Sequence, residues 1–244
     1  MPRFFVPSDQ ITEDAIRITG DDAYHIARSL RMAVGDTLTV ADMHGGEYTC
    51  RLTKIRDEEC TLAPLAYQAS TSEPPYALTL YMALPKGDKL ETVIQKAVEL
   101  GAVRIVPFSS SRCIKKPKAD KQEERTRRLC RIAAEAAKQC GRAALPEVSD
   151  PVEYADMLAQ ASAADLALFC YEGDGTRPMK ELLSETPAPR TVSVVVGSEG
   201  GFSLEEAETA RAMGLHMTGL GRRILRCETA PAYALSAISY HYEL

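Results

Sequence analysis

The hydrophobic positions of this chain follow two different patterns. From about residue 78 onward, short apolar runs alternate with segments whose apolar residues recur at helical spacing, whereas before about residue 70 the apolar runs are short and alternate only weakly. Four runs have the composition of buried strands. They span residues 78–84, 103–108, 165–171 and 192–196. Strands that alternate with helices predict an α/β fold in which a mainly parallel sheet has helices on both faces.

Two helices are predicted from apolar stripes in the first half of this region. Asp88 and Glu91 cap the first helix, which Gly101 ends, and the second helix spans about residues 120–139. The first stripe contains Leu90, Val93, Ile94, Ala97 and Val98, and the second contains Leu129, Ile132, Ala133, Ala136, Ala137 and Cys140. Lys96 and Glu99 are spaced as a surface ion pair of the first helix.

Capping residues predict two further helices near the end of the chain. Ser203 and Glu206 form the S-x-x-E pattern of a capping box, so a helix begins at about Ser203, and Gly214 ends it in a left-handed conformation. A short strand is predicted over residues 215–220. Thr229, followed closely by a proline, then opens a last helix.

The first 70 residues predict a small β-rich domain. A short helix is expected over residues 22–32, and strands are expected over residues 37–41, 48–55 and 60–65. Several short strands favour a small barrel. Residues 68–76 contain Ser, Thr and a Pro-Pro pair, which continue neither a strand nor a helix, so we predict a domain boundary at about residue 72.

Two glycine-bearing loops follow predicted strands in the second half. Residues 197–201 read G-S-E-G-G, and residues 221–226 read G-R-R-I-L-R, with three arginines in five residues. In open α/β sheets, ligands bind beyond the carboxyl ends of the strands, so these loops predict a pocket walled by backbone N–H and C=O groups. The first loop, G-x-x-G-G, does not match a nucleotide-phosphate motif. A plain tight turn is the alternative for the first loop alone, and the adjacent arginines favour a ligand site.

Composition narrows the class of protein. The chain has 244 residues, of which 45% are hydrophobic, enough for a well-packed core. No apolar run has the length of a membrane span, and the N-terminal residues turn acidic too early for a signal peptide. The seven cysteines form no C-x-x-C pair and the four histidines no H-x-x-x-H pair, so we expect no disulfide framework, no structural zinc and a reducing cytoplasm. For Cys227 we expect a packing role, and for His25 a structural one.

Charge is concentrated in one segment. The net charge is −5, yet residues 111–142 alone have a net charge of +7 and the remainder a net charge of −12. Such a basic segment on an acidic protein favours a localised anionic partner. A solvated helix face explains the same charges, and both interpretations stay open on charge alone.

The sequence G-S-E-G-G-F-S, followed about twenty residues later by L-G-R-R-I-L-R-C-E-T-A, resembles the knotted SPOUT-type RNA methyltransferases. More narrowly, it resembles the 16S ribosomal RNA uridine-N3 methyltransferases. The opening M-P-R-F-F and residues 25–36 resemble the family's PUA-like RNA-binding domain, and residues 86–101, 111–112 and 135–142 resemble its further signatures. Ser198 departs from the family, which usually has proline at this position.

The resemblance implies a PUA-like β-barrel domain over residues 1–71 and a domain with a deep trefoil knot over residues 72–244. It also implies S-adenosylmethionine (SAM) as cofactor, small-subunit ribosomal RNA as substrate, an obligate homodimer, and no metal. By motif match, the residues expected to bind SAM are Tyr171, Glu172, Val196, Gly197, Glu199, Gly200, Leu220, Gly221, Ile224, Leu225 and Thr229. We expect Ile224 and Leu225 to face inward around the adenine. The residues expected to face RNA are Arg28, Arg31, Lys86, Arg112 and Arg142.

Arg226 is the expected catalytic residue, because it lies beside the cofactor loop and its guanidinium suits negative charge on the uracil carbonyls. A salt bridge from Arg226 to Glu228 or to another acidic residue, which would shape the loop, is the structural alternative. Leu235, Ile238 and Tyr242 form a stripe that we expect to serve the dimer, or else to pack within its own subunit. Other readings of the chain are a SPOUT enzyme acting on tRNA, an RNA-binding protein with an inactive SAM pocket, and a glycine-loop nucleotide-binding enzyme.

Overall fold

The computed structural model describes residues 1–113 and 122–244. The chain forms two compact units, the first made of residues 1–73 and 137–145 and the second of residues 74–136 and 146–244. Residues 137–145 therefore belong to the first unit, although the sequence assigned them to the second domain. Part of the basic segment, with Lys115, Lys116, Lys118 and Lys121, and the predicted helix start at residue 120 lie outside the described residues.

The first unit is built on a five-stranded sheet. Its strands are β1 (Arg3–Phe5), β2 (Ile16–Thr19), β3 (Thr37–Ala41), β4 (Gly46–Ile55) and β5 (Glu59–Ala69). The order in the sheet is β1-β3-β4-β5-β2, in which β1 and β3 run parallel and the other pairs antiparallel. Phe4, Ile16, Leu38, Leu52 and Leu62 are among the side chains that fill its core. The sequence predicted β3, β4 and β5 and missed β1 and β2.

The helix predicted over residues 22–32 is shorter than expected. Helix α1 (Gly20–Tyr24) continues into a π-helical turn (His25–Ser29), and a 3₁₀ turn (Ser8–Gln10) precedes β2. Arg31 follows with a left-handed φ of 52°. The sequence predicted one helix that contains Arg28 and Arg31, on which their spacing would give them a common face; this is wrong, because the helical segment ends before Arg31. His25 packs edge-on to Phe4, with the ring centroids 6.3 Å apart.

The second unit contains an eight-stranded sheet within the described residues. Its strands are β6 (Ala77–Ala83), β7 (Ala102–Ser109), β8 (Glu147–Val148), β9 (Val152–Glu153), β10 (Leu166–Cys170), β11 (Arg177–Pro178), β12 (Thr191–Val196) and β13 (His216–Gly219). The order is β11-β13-β10-β12-β6-β7-β8, with β9 also pairing β7. These pairings are parallel, which confirms the predicted parallel sheet. The trefoil knot stays a prediction.

Helices flank this sheet. They are α2 (Lys89–Glu99), α4 (Tyr154–Ala161), α5 (Met179–Glu185), α6 (Leu204–Ala212) and α7 (Thr229–Glu243). Helix α3 (Gln122–Cys140) begins in the second unit, and its last residues belong to the first. The capping box of α6 is confirmed, with Ser203 and Glu206 each accepting a backbone N–H of the other. Asp88 lies at the N-cap of α2, but its side chain makes no capping hydrogen bond, so the predicted cap is wrong in that respect. The pair Lys96–Glu99 is confirmed at 2.8 Å.

The stripe on α7 packs within its own chain. Leu235 and Ile238 are fully buried in the single chain. The Tyr242 hydroxyl donates to the backbone carbonyl oxygens of Leu183, at 3.2 Å, and Thr186, at 2.7 Å. This outcome is the second of the two alternatives stated for the stripe. Each helix within residues 1–113 and 122–244 is too short or too polar to cross a bilayer.

Candidate active site

A cavity of about 800 Å³ lies where the strands β13, β10, β12 and β6 end side by side. Because parallel strands present their carboxyl ends at one edge, the loops after β10, β12 and β13 converge there. Most of the residues predicted to form the site line this cavity: Tyr171, Glu172, Val196, Gly197, Glu199, Leu220, Gly221, Ile224, Leu225 and Arg226. Gly200 lies in the loop after β12 and Thr229 is the first residue of α7, and neither lines the cavity.

The loop after β12 depends on two glycines. A Cβ atom added at Gly197 would lie 3.1 Å from the Phe202 ring and 3.2 Å from Cα of Gly201. Gly201 has a φ of +62°, and a Cβ atom there would lie 2.5 Å from Oε1 of Glu172. The Gly201 N–H closes the turn by donating to the Ser198 carbonyl at 2.9 Å. Glycine at these positions therefore lets the backbone fold tightly against the end of β10.

Ser198, the position where this chain departs from the family pattern, is 7% exposed. Its hydroxyl oxygen is buried and has no hydrogen-bond partner among the described residues. A buried, unpaired hydroxyl is unfavourable, so the serine does not stabilise the loop through its side chain.

The loop after β7 is attached to the same region. Glu206 accepts the Ser111 N–H at 2.7 Å through one carboxylate oxygen and the Ser203 N–H at 2.9 Å through the other. Arg112 donates from Nη1 to the Gly200 carbonyl at 2.9 Å. These bonds fix the loop after β7 beside the glycine loop. They also give Gly200 a role outside the cavity, because its carbonyl accepts the hydrogen bond from Arg112.

A lysine on α2 bridges the loop after β12 and the loop after β13, the two loops that the sequence predicts to bind the cofactor. Nζ of Lys89 lies 3.0 Å from Oε1 of Glu199, in the loop after β12, and 3.3 Å from Oε2 of Glu228, in the loop after β13. The Lys86 N–H also donates to Glu199, at 3.2 Å. Partial burial alone would raise the pKa of Glu199, but the hydrogen bonds from Lys89 and Lys86 outweigh it and hold that pKa below its usual value. The hydrogen bond to Glu199 in turn raises the pKa of Lys89, so the bridge is ionised at neutral pH.

Cys227 is a buried neighbour of this bridge. Its Sγ lies 3.2 Å from Oε2 of Glu228 and 3.8 Å from Nζ of Lys89. Burial, followed by the hydrogen bond to Glu228, raises the pKa of Cys227 to about 12. The thiol is protonated at neutral pH and is a poor nucleophile, which agrees with a packing role.

The loop after β13 is more open than the sequence suggested. Ile224 lines the cavity and is 82% exposed, so the single chain leaves its side chain largely uncovered, and its contact with the adenine stays a prediction. The Arg226 carbonyl accepts the N–H groups of Thr229 and Ala230 at the start of α7, at 2.8 and 2.9 Å. The proposed salt bridge from Arg226 to Glu228 is not formed, because Glu228 pairs with Lys89.

Residues 72–239 match the family described as an RNA methyltransferase domain, and residues 18–65 match the RNA methyltransferase PUA domain. The ribosomal RNA small subunit methyltransferase E of Bacillus subtilis is 34% identical over 251 residues, which cover 100% of this chain and 98% of that protein.

The chain belongs to the ribosomal RNA small subunit methyltransferase E family.

Two solved structures agree with this membership. The family's Neisseria gonorrhoeae enzyme, bound to S-adenosylmethionine, is 27% identical with a TM-score of 0.87, covering 98% of this chain and 97% of that one. A putative methyltransferase of Legionella pneumophila, in complex with the same cofactor, is 28% identical with a TM-score of 0.85, covering 98% and 96%. As a member of the family, this chain has a PUA-like unit ahead of its parallel-sheet unit.

The residues predicted to face RNA have different surroundings. Lys86 and Arg112 are exposed beside the cavity loops. Arg28 is exposed and forms a bidentate pair with Asp57, at 3.0 and 2.6 Å. Arg31 is exposed beyond the helical turn.

Arg142 cannot serve as an RNA contact as predicted, because it is only 2% exposed. It donates to Oε2 of Glu73 from Nε at 3.1 Å and from Nη2 at 2.7 Å. Oε1 of Glu73 accepts the N–H groups of Ala143 and Ala144, at 2.9 and 3.0 Å. The RNA-facing prediction for Arg142 is therefore wrong: this arginine anchors residues 142–144 to the boundary of the first unit.

Sequence reasoning missed several cavity residues, chief among them Lys89, Cys170, Thr176 and Phe202. Lys89 carried a detectable signal. A lysine in the first turn of a helix is unfavourable with respect to the helix dipole, which marks it as a residue to examine for carboxylate partners. Within the described parts of the chain, there is no cluster of three or more His, Cys, Asp or Glu side chains placed to hold a metal ion.

Proposed function

We propose that this protein transfers the methyl group of SAM to N3 of a uridine in 16S, small-subunit ribosomal RNA. Membership of the methyltransferase E family supports the reaction class, and the cavity at the carboxyl edge of the parallel sheet supplies a site of suitable size. The single observation that carries the proposal is the convergence of the two family motifs, residues 197–203 and 220–230, on this one cavity.

The residues of the cavity fit SAM. Val196, Leu220 and Leu225 offer apolar surface for an adenine, and the tight glycine turn at Gly197 brings backbone groups close to the cavity. Glu172 is a carboxylate that suits ribose hydroxyls or an ammonium group. When bound, SAM supplies an electrophilic methyl carbon on a sulfonium sulfur. The chain itself binds, orients and stabilises charge.

Arg226 is proposed as the catalytic residue. The uracil N3 proton must leave before or during attack, and negative charge then spreads to the flanking carbonyl oxygens. Arg226 lines the cavity and its side chain has no ion-pair partner in the described part of the chain, so its donors are available to those oxygens. Glu199 is held ionised by Lys89, and the Cys227 thiol stays protonated, so both serve the structure of the site.

The proposed RNA contacts are distributed over two domains. We assign residues 1–71 as the PUA-like RNA-binding domain, with Arg28 and Arg31 exposed, and residues 72–244 as the methyltransferase domain, with Lys86 and Arg112 beside the cavity. Phosphate contacts by lysine and arginine release counterions, so RNA affinity should fall steeply with salt.

The same proposal includes the trefoil knot, a homodimer and a cytoplasmic location, where ribosomal subunits mature. Support for the dimer comes from the exposed face of α7, on which Tyr233 is 46% and Tyr240 75% exposed, and from Ile224 at 82%. These large apolar groups are close to the cavity motif in sequence, so a partner subunit that covers them would also enclose the loop after β13.

Two experiments test the proposed function. Isothermal titration should show SAM binding without RNA, while ATP and NAD do not bind. Nucleoside mass spectrometry of ribosomal RNA from a deletion strain should show the loss of N3-methyluridine, which a plasmid copy restores. Binding of ATP or NAD in place of SAM would refute the cofactor. An altered tRNA nucleoside with unchanged ribosomal RNA would refute the substrate.

A further inference from the structure

Lys89 occupies a position that connects three segments far apart in the sequence. It is the first residue of α2, and its ammonium group lies between Glu199 and Glu228, 3.0 and 3.3 Å away. Glu199 belongs to the loop after β12, and Glu228 immediately precedes α7. One side chain therefore reaches both of the loops whose residues line the cavity.

The surroundings of Lys89 favour a specific structural role over an ordinary solvent-exposed ion pair. The side chain is 38% exposed, and both carboxylates are 26% exposed, so neither partner is a fully solvated group. A positive charge in the first turn is unfavourable with respect to the helix dipole, so the two carboxylates compensate for its placement. Lys96 provides a contrast on the same helix: it is 51% exposed and its partner among the described residues is Glu99, within its own helix.

We propose that Lys89 is a positioning residue that holds the loops after β12 and β13 as one preformed cofactor cradle. The inference rests on the proposed function, because it assigns the cradle to SAM. Loops that are ordered before binding lose less conformational entropy when the ligand arrives, so their connection increases affinity. Lys89 acts through Glu199 and Glu228 and contacts no reacting atom in this role.

Lys89 could act only as a nearby positive charge or by positioning the loops. These two roles predict different changes in the affinities for SAM and for its product when Lys89 is replaced. SAM carries one more positive charge than its product, S-adenosylhomocysteine. If Lys89 matters only as a nearby positive charge, its removal should strengthen SAM binding relative to the product. If it positions the loops, the affinities for both ligands should fall in parallel.

The test compares Lys89→Met, Lys89→Arg and the matched control Lys96→Met. Titration of each full-length protein with SAM and with S-adenosylhomocysteine should show both affinities about three- to tenfold weaker in Lys89→Met, a typical range for coupled side chains. Lys89→Arg should recover most of the loss, and Lys96→Met should match the wild type. In the protein without ligand, hydrogen exchange should accelerate at residues 197–203 and 220–228 in Lys89→Met only.

A double variant identifies the partners. Once Lys89 is replaced by Met, the further change Glu228→Gln should have little additional effect, whereas Glu228→Gln alone should weaken binding. Unchanged exchange in both loops, or SAM affinity that rises while product affinity is constant, would overturn the positioning role. Failure of the wild type to bind SAM would refute the proposed function, and the exchange measurement would still decide whether Lys89 orders the loops.

Discussion

Glu206 accepts the backbone N–H of Ser111 at 2.7 Å, across 95 positions of sequence. The same carboxylate caps α6 through the Ser203 N–H at 2.9 Å. One buried side chain therefore starts a helix and fixes the loop after β7, whose next residue, Arg112, holds the carbonyl of Gly200. The capping box is a local feature, but its acidic member also organises the edge of the cavity.

The substitution Glu206→Gln tests this double role. One carboxylate oxygen becomes an amide group that faces a backbone N–H, so a buried donor loses its acceptor. We expect a loss of about 1–3 kcal/mol in the free energy of unfolding, the usual cost of such an unsatisfied group. Thermal unfolding measures it. Glu205→Gln, an exposed change in the same turn, should stay within about 0.5 kcal/mol of the wild type. Equal melting temperatures for the two variants would contradict the role of Glu206.

A comparison of two glycines with positive φ separates the cost of backbone strain from the effect of a clash inside the site. Gly214 has a φ of +86° with no atom near an added Cβ, whereas at Gly201 an added Cβ would lie 2.5 Å from Oε1 of Glu172. Gly214→Ala should cost about 1 kcal/mol in stability and leave SAM affinity unchanged. Gly201→Ala should also displace Glu172 and weaken SAM binding about tenfold, equivalent to about 1.4 kcal/mol. Titration and thermal unfolding of both variants check this, and equal SAM affinities would contradict it.

Arg142 and Arg28 give a matched comparison of a buried and an exposed arginine. Arg142→Ala removes one partner of an ion pair whose side chains are 3% and 19% exposed, and should cost about 3–5 kcal/mol because the Glu73 charge is left buried. Arg28→Ala should leave the melting temperature almost unchanged, since its pair with Asp57 is exposed. The RNA binding of Arg28→Ala should reveal a lost RNA contact. The salt dependence of RNA binding by Arg142→Ala should not reveal one. A stable Arg142→Ala variant with weakened RNA binding would restore the original prediction for Arg142.

The ion pair between Arg142 and Glu73 also predicts that the stability of the protein depends on pH. Burial raises the pKa of Glu73, but the hydrogen bonds from Arg142, Ala144 and Ala143 more than offset it, so the folded-state pKa is below the usual value. A depressed carboxyl pKa contributes stability above the unfolded value of about 4.3 and loses it as the pH falls. The difference in melting temperature between wild type and Glu73→Gln should therefore shrink from about pH 6 to about pH 3. A constant difference would contradict the assignment.

Local patterns predicted the parts of this protein whose causes lie close together in sequence. The capping box at Ser203, the glycine end of α6 and the parallel strands follow from short-range spacing. Arg142 was misjudged because its burial depends on Glu73, 69 positions away. Lys89 was missed for the same reason, since its two partners are distant in sequence. The 82% exposure of Ile224 was not foreseen either, because the composition of a loop does not show how much of it the rest of the fold covers.

Arg226 provides the sharpest prediction about chemistry. Arg226→Ala should lower single-turnover methylation by about 10²–10³-fold, the range for loss of one donor to developing charge. SAM affinity and melting temperature should change little, because Glu228 pairs with Lys89 and not with Arg226. Arg226→Lys should recover part of the rate. Arg223→Ala removes another arginine that lines the same cavity and tests whether the effect is specific to Arg226. Parallel loss of binding, stability and rate would instead indicate a structural role.

The most direct test of the central claim is methyl transfer with purified components. The wild-type protein is incubated with SAM and small ribosomal subunits from a deletion strain, and the nucleosides of the RNA are then analysed by mass spectrometry. Our account predicts that N3-methyluridine forms in the small-subunit RNA with wild type, and that its rate of formation falls about 10²–10³-fold with Arg226→Ala. A different methylated nucleoside, or none although SAM binds, would contradict the account.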